Sequence, residues 1–488
     1  MILSNNTCFQ TYSDYKLHVS NFYSICPGDF NRFLNNPTNT DAFFKMIFLD
    51  VDAAIPIIAP LYSPVGRPAQ FQVQLLRSLI LMSHYRIGSP QVWCQMLSIE
   101  PCLAVISGFN PGIFPKFPSF YDFYNRLFSG IHYKREDYIL DHKPYEKPDN
   151  SEKPKKGQKW NNYELSATEK LLEQFSNNID HTENLDERVL LNLFDTLGVS
   201  FSIDHGLIDL NIKIAGDGTC DHEHARPYGK KIDENNDNLR RYSDLDADWG
   251  WDSDLNVFYF GYTIYTISTI NHTTGTDLPV SLTMAPASQN NAITSMTALA
   301  QLRSINNKLS FSHYLLDCAS DNVSTHKLAY SLGILPVIDI NKRQTSKNIY
   351  EPYTGISENG KPVCMAGYEC VSDGYDKARF RHKFRCPFSQ RKENTCPMKD
   401  QCTKSKYGRV FHIKTEDDLR LIGVVRYGTD EWKQTYKDRT SCERMNNRIL
   451  NNYEFSNLRM RGRKRRFIML IMDGINIHLD AYRKVTSL

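Results

Sequence analysis

No stretch of this chain is apolar for long enough to cross a bilayer. Its two most apolar runs, DVDAAIPIIAPL and FIMLIMDGINI, fall short of the ~20 residues a spanning helix needs, and both carry aspartate. The opening MILSNNTCFQTYSDYKLHVS has neither the basic start nor the apolar run of a signal peptide, so export is not expected. A strong charge of one sign is also missing. The net charge of +3 singles out no partner, although the cations gather toward the C-terminus. No internal repeat is evident, which argues against a solenoid.

What is present describes a globular chain. At 488 residues it is too long for one ordinary core and allows two or three domains. Apolar residues make up 41% and charged residues 23%, which excludes a disordered or fibrous protein. Twelve cysteines without an export signal read as core thiols or metal ligands rather than disulfides. Five of them fall between 364 and 402.

Residues 41 to 130 carry apolar positions at helical spacing, as in FQVQLLRSLILMSHYRIG. The Lys- and Pro-rich stretch from 142 to 162 has almost nothing to bury and reads as a linker. Near 200 the texture changes. IKIAGDGT, VFYFGYTIYTISTI and DLPVSLTMAP are β-rich runs, followed by a helix over 290–303, strand SHYLLD, helix NVSTHKLAYSLG and strand LPVIDIN. That succession predicts a mixed sheet covered by helices. From 342 to about 415 the pattern breaks down, and helix returns from 430 to the end.

Three carboxylates stand out. Asp217 ends an apolar run between glycines, in AGDGT, where small neighbours leave space for a metal and a phosphate; a simple Asp-Gly turn is the competing reading. Asp317 ends the strand HYLLD, and Asp321 follows where a cap for the next helix belongs. In YKDRTSCERMNNRIL, Tyr436, Arg439 and Glu443 lie within about 60° of one another on a helix. Two aspartates and a glutamate are hard oxygen donors suited to Mg²⁺ or Mn²⁺, and a pair of such ions promotes in-line displacement at a phosphodiester. Such a substrate is a polyanion, and the cations of RMRGRKRR (459–466) and RFRHKFR (379–385) suit its backbone.

AGDGT, YLLDCASDN followed by LGILPVIDIN, and YKDRTSCER resemble, in order, the three blocks of DDE transposases of bacterial insertion sequences, in the branch marked by a tyrosine, arginine, glutamate signature. DADWGWDSDLNVFYFGY resembles that family's second strand region. GRPAQFQVQLLRSLILMSHYRIGSP with FPSFYDFYNRL resembles its helical N-terminal domain. The likeness covers about residues 60–130 and 210–485. It implies an RNase H-like catalytic domain, an α+β or α/β mixed sheet flanked by helices, binding two Mg²⁺ or Mn²⁺ ions through Asp217, Asp317 and Glu443. It also implies DNA contacts by Tyr436 and Arg439, and the basic residues Arg444, Arg448, Arg461, Arg463, Lys464 and Arg465 are the further candidates. In two respects the sequence departs from the family pattern. Leu450 stands where a basic residue often follows the glutamate, and Ala319-Ser320 replaces a glycine and tyrosine after the second aspartate, so Asp321 stays an alternative to Asp317.

The expected organisation is an N-terminal helical DNA-binding or assembly domain (1–140), a connecting segment (141–200), the first part of the catalytic core (201–341), a Cys-rich insertion (342–415) and the C-terminal core helices (416–488). Within the insertion, Cys386, Cys396 and Cys402, with Cys370 or Cys364, are candidate ligands of a structural Zn²⁺. His222, Glu223 and His224 look like metal ligands but lack the second helix turn of a zinc protease, so a loop near DNA is expected there. The expected protein is a cytoplasmic, nucleoid-associated transposase, with no membrane partner. It would act on element ends and target DNA as a homo-oligomer, with a dimer the expected form, because two ends must be joined. The rival expectations are a catalytically inactive DNA-binding relative and a DDE-type nuclease without strand transfer.

Overall fold

Caps and prolines set the starts of the N-terminal helices. In the computed structural model, Thr11 forms a reciprocal capping box with Asp14 at the head of α1 (Tyr12–Ile25), and prolines open α2 (Pro27–Leu34) and α3 (Pro37–Phe48). Then come α4 (Gln72–His84), α5 (Pro90–Ile99), which Ser89 caps, and α6 (Phe117–Leu127). The structure describes residues 9–63, 69–128, 138–140, 165–177, 185–341, 353–357, 361–389, 396–405, 407–415, 419–420 and 422–486. The whole of the expected linker at 142–162 therefore lies outside the described residues.

After α7 (Arg188–Phe194) the chain enters its main sheet. The strands are β1 (Asn211–His222), β2 (Asp248–Asp252), β3 (Val257–Asn271), β4 (Thr276–Pro286), β5 (Ser310–Leu316) and β6 (Leu335–Ile338). Helix α8 (Asn291–Ile305) connects β4 to β5, and α9 (Val323–Ser331) connects β5 to β6. The strand order is β4–β3–β1–β5–β6; β4 and β1 are antiparallel to β3, while β5 and β6 run parallel to β1. The two parallel pairings need crossovers, and the helical runs between these strands supply them. β2 pairs with the first residues of β3, ahead of the stretch that pairs with β4. A separate antiparallel sheet of β7 (Val371–Asp376), β8 (Arg381–Arg385) and β9 (Val410–Lys414) follows, with its own small core of Phe384, Phe411, Ile413, Cys364 and Cys370.

The chain ends in α10 (Asp430–Tyr436), α11 (Thr440–Asn447) and α12 (Arg463–Thr486). α12 is buried from Arg466 to Leu479 with no polar stripe, the pattern of a helix enclosed on every side. It packs on β4 and also on α4, which is itself buried along nearly its whole length. One apolar core consequently runs from Tyr15 in α1 through Leu76 in α4 and Ile264 in β3 to Ile471 in α12. Polar bonds set the register of the helix pair: Ser83 Oγ donates to Asp473 Oδ1 at 2.5 Å, and Asn476 Nδ2 donates to the Ile80 carbonyl at 2.8 Å. Burial pushes the Asp473 carboxyl well above its usual range, with the hydrogen bond from Ser83 opposing the rise.

Candidate active site

Asp217 stands in the middle of β1, opposite Thr266 of β3, where the sequence pattern predicts a strand end or a turn. Its flanking glycines serve the other face of the sheet. A Cβ on Gly216 would lie 2.7 Å from the Tyr265 hydroxyl and 2.9 Å from that of Tyr314, and one on Gly218 would lie 2.9 Å from Thr263 Cγ2. The small residues thus admit two buried tyrosines behind the carboxylate. Burial, aided by the negative charges of Asp317 and Glu443, pushes the Asp217 carboxyl up to about 6, with Arg439 opposing the rise.

Asp317 follows the last residue of β5 and accepts from the Ala319 amide at 3.2 Å, holding the turn after the strand. Burial raises its pKa too. Asp321 has a different task. Its oxygens accept from Arg420 Nε at 2.7 Å and from the Asn341 amide at 2.8 Å, and Arg420 Nη2 completes a bidentate pair. The cap it was expected to provide for α9 comes from Asn322, which accepts from the Thr325 amide at 3.0 Å. Although burial would raise the Asp321 carboxyl, hydrogen bonds from Arg420 and His326 hold it down at about 2. Its stabilising effect is complete above the unfolded carboxylate range and is lost as pH falls toward 2. Arg420→Met is expected to lower stability at pH 7 by about 2 kcal/mol and to remove the pH dependence between about 4 and 2, read from urea midpoints.

The tyrosine, arginine and glutamate do not share one regular helix. A 3₁₀ turn over Lys437–Arg439 separates α10 from α11. The bend brings Arg439 across to the strand: Nη1 donates to Glu443 Oε1 at 2.5 Å, and Nη2 lies 3.7 Å from Asp217 Oδ1. Burial works against the guanidinium charge, but Tyr436, Asp217 and Glu443 keep its pKa above the ordinary value. Tyr436 stacks on Trp432 at 4.4 Å, half-buried. Asn446 donates to Asp217 Oδ2 at 3.4 Å, while its own Oδ1 is buried without a partner. Sequence reasoning places Asn446 on roughly the face of Arg439 and Glu443 but gives it no role, and it missed Asp339. The latter follows β6 as Asp317 follows β5, an aspartate after an apolar run, and it adds negative charge beside Asp317 and Tyr436.

Most of the expected DNA-binding cations are engaged within the chain. Arg444 makes a bidentate pair with Asp277 at 2.6 and 2.7 Å, and Arg448 pairs with Asp480 at 2.9 Å. Arg463 pairs with Glu187, Lys464 donates to Asn125 at 2.9 Å, and the Arg465 guanidinium lies 4.8 Å over the Tyr121 ring. These residues fasten α12 to the N-terminal helices and α7. Arg459 and Arg461 remain exposed. Leu450, within a π-helical turn that extends α11, packs against the main core.

Among the described residues no three His, Cys, Asp or Glu side chains are gathered closely enough to hold an ion, and this applies to Asp217, Asp317 and Glu443 as well as to the cysteines and histidines. Burial pushes the Cys370 thiol up to about 12, and the nearby Cys364, Cys386 and Cys402 add to the rise. Cys396 is half-buried. His222 donates toward Asp252 at 2.9 Å and stacks on Tyr259, while Glu223 is enclosed beside Arg466. His222 thus closes β1, and Glu223 and the exposed His224 open the loop that follows it, with the Glu223 side chain turned into a buried ion pair.

The family model described as "Transposase DDE domain" matches residues 363–478. That match supports a DDE transposase. It takes in Tyr436, Arg439 and Glu443 and begins after Asp217 and Asp317, of which the fold brings Asp217 within 3.7 Å of Arg439. No curated protein and no solved structure matches the chain. The matched domain indicates an enzyme of the nuclease or transposase kind, with DNA as its kind of partner. No helix among the described residues is long and apolar enough to cross a membrane.

Proposed function

We propose that the chain is an insertion-sequence transposase that cuts DNA at the ends of its element and joins the freed 3′-hydroxyl to target DNA. The observation that carries the reading is the Arg439 guanidinium, bound to Asp217 from the sheet and Glu443 from α11, with Asp317 in its field. The strand order, three antiparallel strands followed by two parallel ones, fits an RNase H-like core.

The donor set suits divalent magnesium or manganese in kind. Asp217, Asp317 and Glu443 offer hard oxygens, Asp217 and Asp317 are poorly stabilised as anions by the protein, and the orphaned Asn446 Oδ1 beside Asp217 is a further oxygen facing no donor. When bound, such ions supply activation of the attacking hydroxyl and neutralisation of the leaving oxygen. Within the chain, Arg439 holds the two carboxylates in place and keeps phosphate-binding charge at the centre, and Tyr436 borders it. Two ends must be cut and joined together, so a homodimer is the expected working form.

The test is cleavage and joining of DNA carrying the inverted repeats that flank the gene, with Mg²⁺, by the wild type and by Glu443→Gln. Cutting and joining by the wild type, with binding alone by the variant, is the expected result. Cutting without joined products would make the chain a nuclease. Binding without cutting by both proteins would make it a DNA-binding relative.

A further inference from the structure

Beyond His222, at the far end of the strand that bears Asp217, lies a cavity of about 540 Å³ lined by Arg226, Gly229, Lys230, Arg241, Tyr242, Ser243 and Arg461. Four of these seven residues are cationic, and among the described residues none that lines it is acidic. A concave site with one sign of charge focuses its field on an anion. Arg461 is also the member of the C-terminal cationic run that reaches this cavity, whereas Arg463, Lys464 and Arg466 turn inward to Glu187, Asn125 and Asp221.

Aromatic rings lead outward from its rim. Tyr228, next to Gly229 and 54% exposed, lies 6.1 Å from Trp249 of β2, which meets Phe260 at 5.8 Å; two residues further along the same face, Trp251 meets Phe258 at 4.9 Å. Trp251 is 52% and Phe258 72% exposed. Exposed ring faces beside a basic groove are what unpaired bases recognise, and a duplex has no free base faces to offer them.

We propose that the cavity and the β2–β3 aromatic row bind a single-stranded segment of DNA, with a phosphate in the cavity and adjacent bases on Trp251 and Phe258. This rests on the transposase reading only in naming DNA as the polymer. It places unpaired DNA on the order of 17 Å or more along β1 from Asp217, five residues at strand rise before the cavity begins.

Fluorescence anisotropy of the full chain with a labelled 20-nucleotide thymidine strand, and with a duplex of equal length, over a range of KCl concentrations, tests the proposal. Trp251→Ala is expected to weaken single-strand binding by about 5- to 150-fold and leave duplex binding unchanged. Lys230→Gln with Arg461→Gln is expected to reduce the single-strand salt slope by about 1.4. Trp251 and Arg461 are exposed, and unchanged thermal unfolding of the variants confirms that the fold is intact. Variants that bind the single strand like the wild type, or that lose duplex binding alone, would overturn the proposal. So would inorganic pyrophosphate binding at the cavity without competing with the strand. Because the readout is binding, its outcome is separate from the cutting assay: loss of single-strand binding in a protein that never cuts DNA would sustain the site and sink the catalytic reading.

Discussion

Replacing Arg466 by leucine is expected to cost about 3–5 kcal/mol of stability, because it breaks a buried ion pair and leaves its anions behind. Arg466, Asp221 and Glu223 all have fully enclosed side chains. Arg466 Nε donates to Asp221 Oδ2 at 2.6 Å, its Nη2 completes the pair, Nη1 donates to the Leu458 and Met460 carbonyls at 3.3 Å, and the guanidinium lies 5.1 Å from the Phe455 ring. One side chain at the head of α12 therefore binds the end of β1 and the loop before the helix. Leucine leaves two buried carboxyls without their cation.

The loss should grow with pH. Burial already pushes the Glu223 carboxyl up to about 7, with Arg466 opposing the rise, and it raises Asp221 as well. Without the arginine both rise further, so their ionisation is penalised more in the folded than in the unfolded state, and that penalty develops as pH climbs through the shifted range. Urea midpoints at pH 6 and pH 8 measure it. A fall of less than about 1 kcal/mol at both would show that packing, not the ion pair, holds α12 in place.

Asp217→Asn is expected to move activity and stability in opposite directions. On the proposed function, cutting should fall by about 10²- to 10³-fold, because the proposed centre loses a charge without changing shape. Stability at pH 7 to 8 should rise by about 2–3 kcal/mol. The Asp217 carboxyl titrates near 6 when folded and near the ordinary 3.8 when unfolded, so its ionisation disfavours the fold by about 1.4 kcal/mol per unit of difference. That penalty is absent below the unfolded value, grows from about pH 4 to 6 and is complete above it; asparagine never incurs it. The two proteins should therefore have equal stability near pH 3 and diverge on raising the pH. A variant that is less stable at pH 8 would mean that Arg439 needs the Asp217 charge more than the fold suffers from it. Lost activity with raised stability is the signature of a group kept for chemistry.

Much of the sheet is legible from local pattern. The runs around 212–219, 257–270 and 277–286 became β1, β3 and β4, and the helix expected at 290–303 is α8, because alternation and β-branched residues act over a few positions. The elements carrying Asp217, Asp317 and Glu443 were legible for the same reason. The approach of Asp217 and Glu443 to Arg439, with Asp317 in its field, was not, since it depends on a 3₁₀ turn at 437–439 and on the parallel pairing of β1 with β5, both settled by packing between distant segments.

The cations show the limit most clearly. RMRGRKRR reads as one cationic cluster suited to a DNA backbone, yet Arg466 is fully buried, Arg463 binds Glu187 before α7, Lys464 binds Asn125 of α6, and Arg461 lines a cavity with residues about 220–235 positions earlier. Local sequence specifies charge but not the partner that neutralises it, because a buried ion pair is decided by which carboxylate the fold brings within reach. The glycines around Asp217 carry the same lesson: the sequence by itself determined that the carboxylate would have small neighbours. Only the tertiary structure decided that their missing side chains make room for Tyr265 and Tyr314 on the opposite face, since strand residues alternate between faces and crowding there comes from other strands.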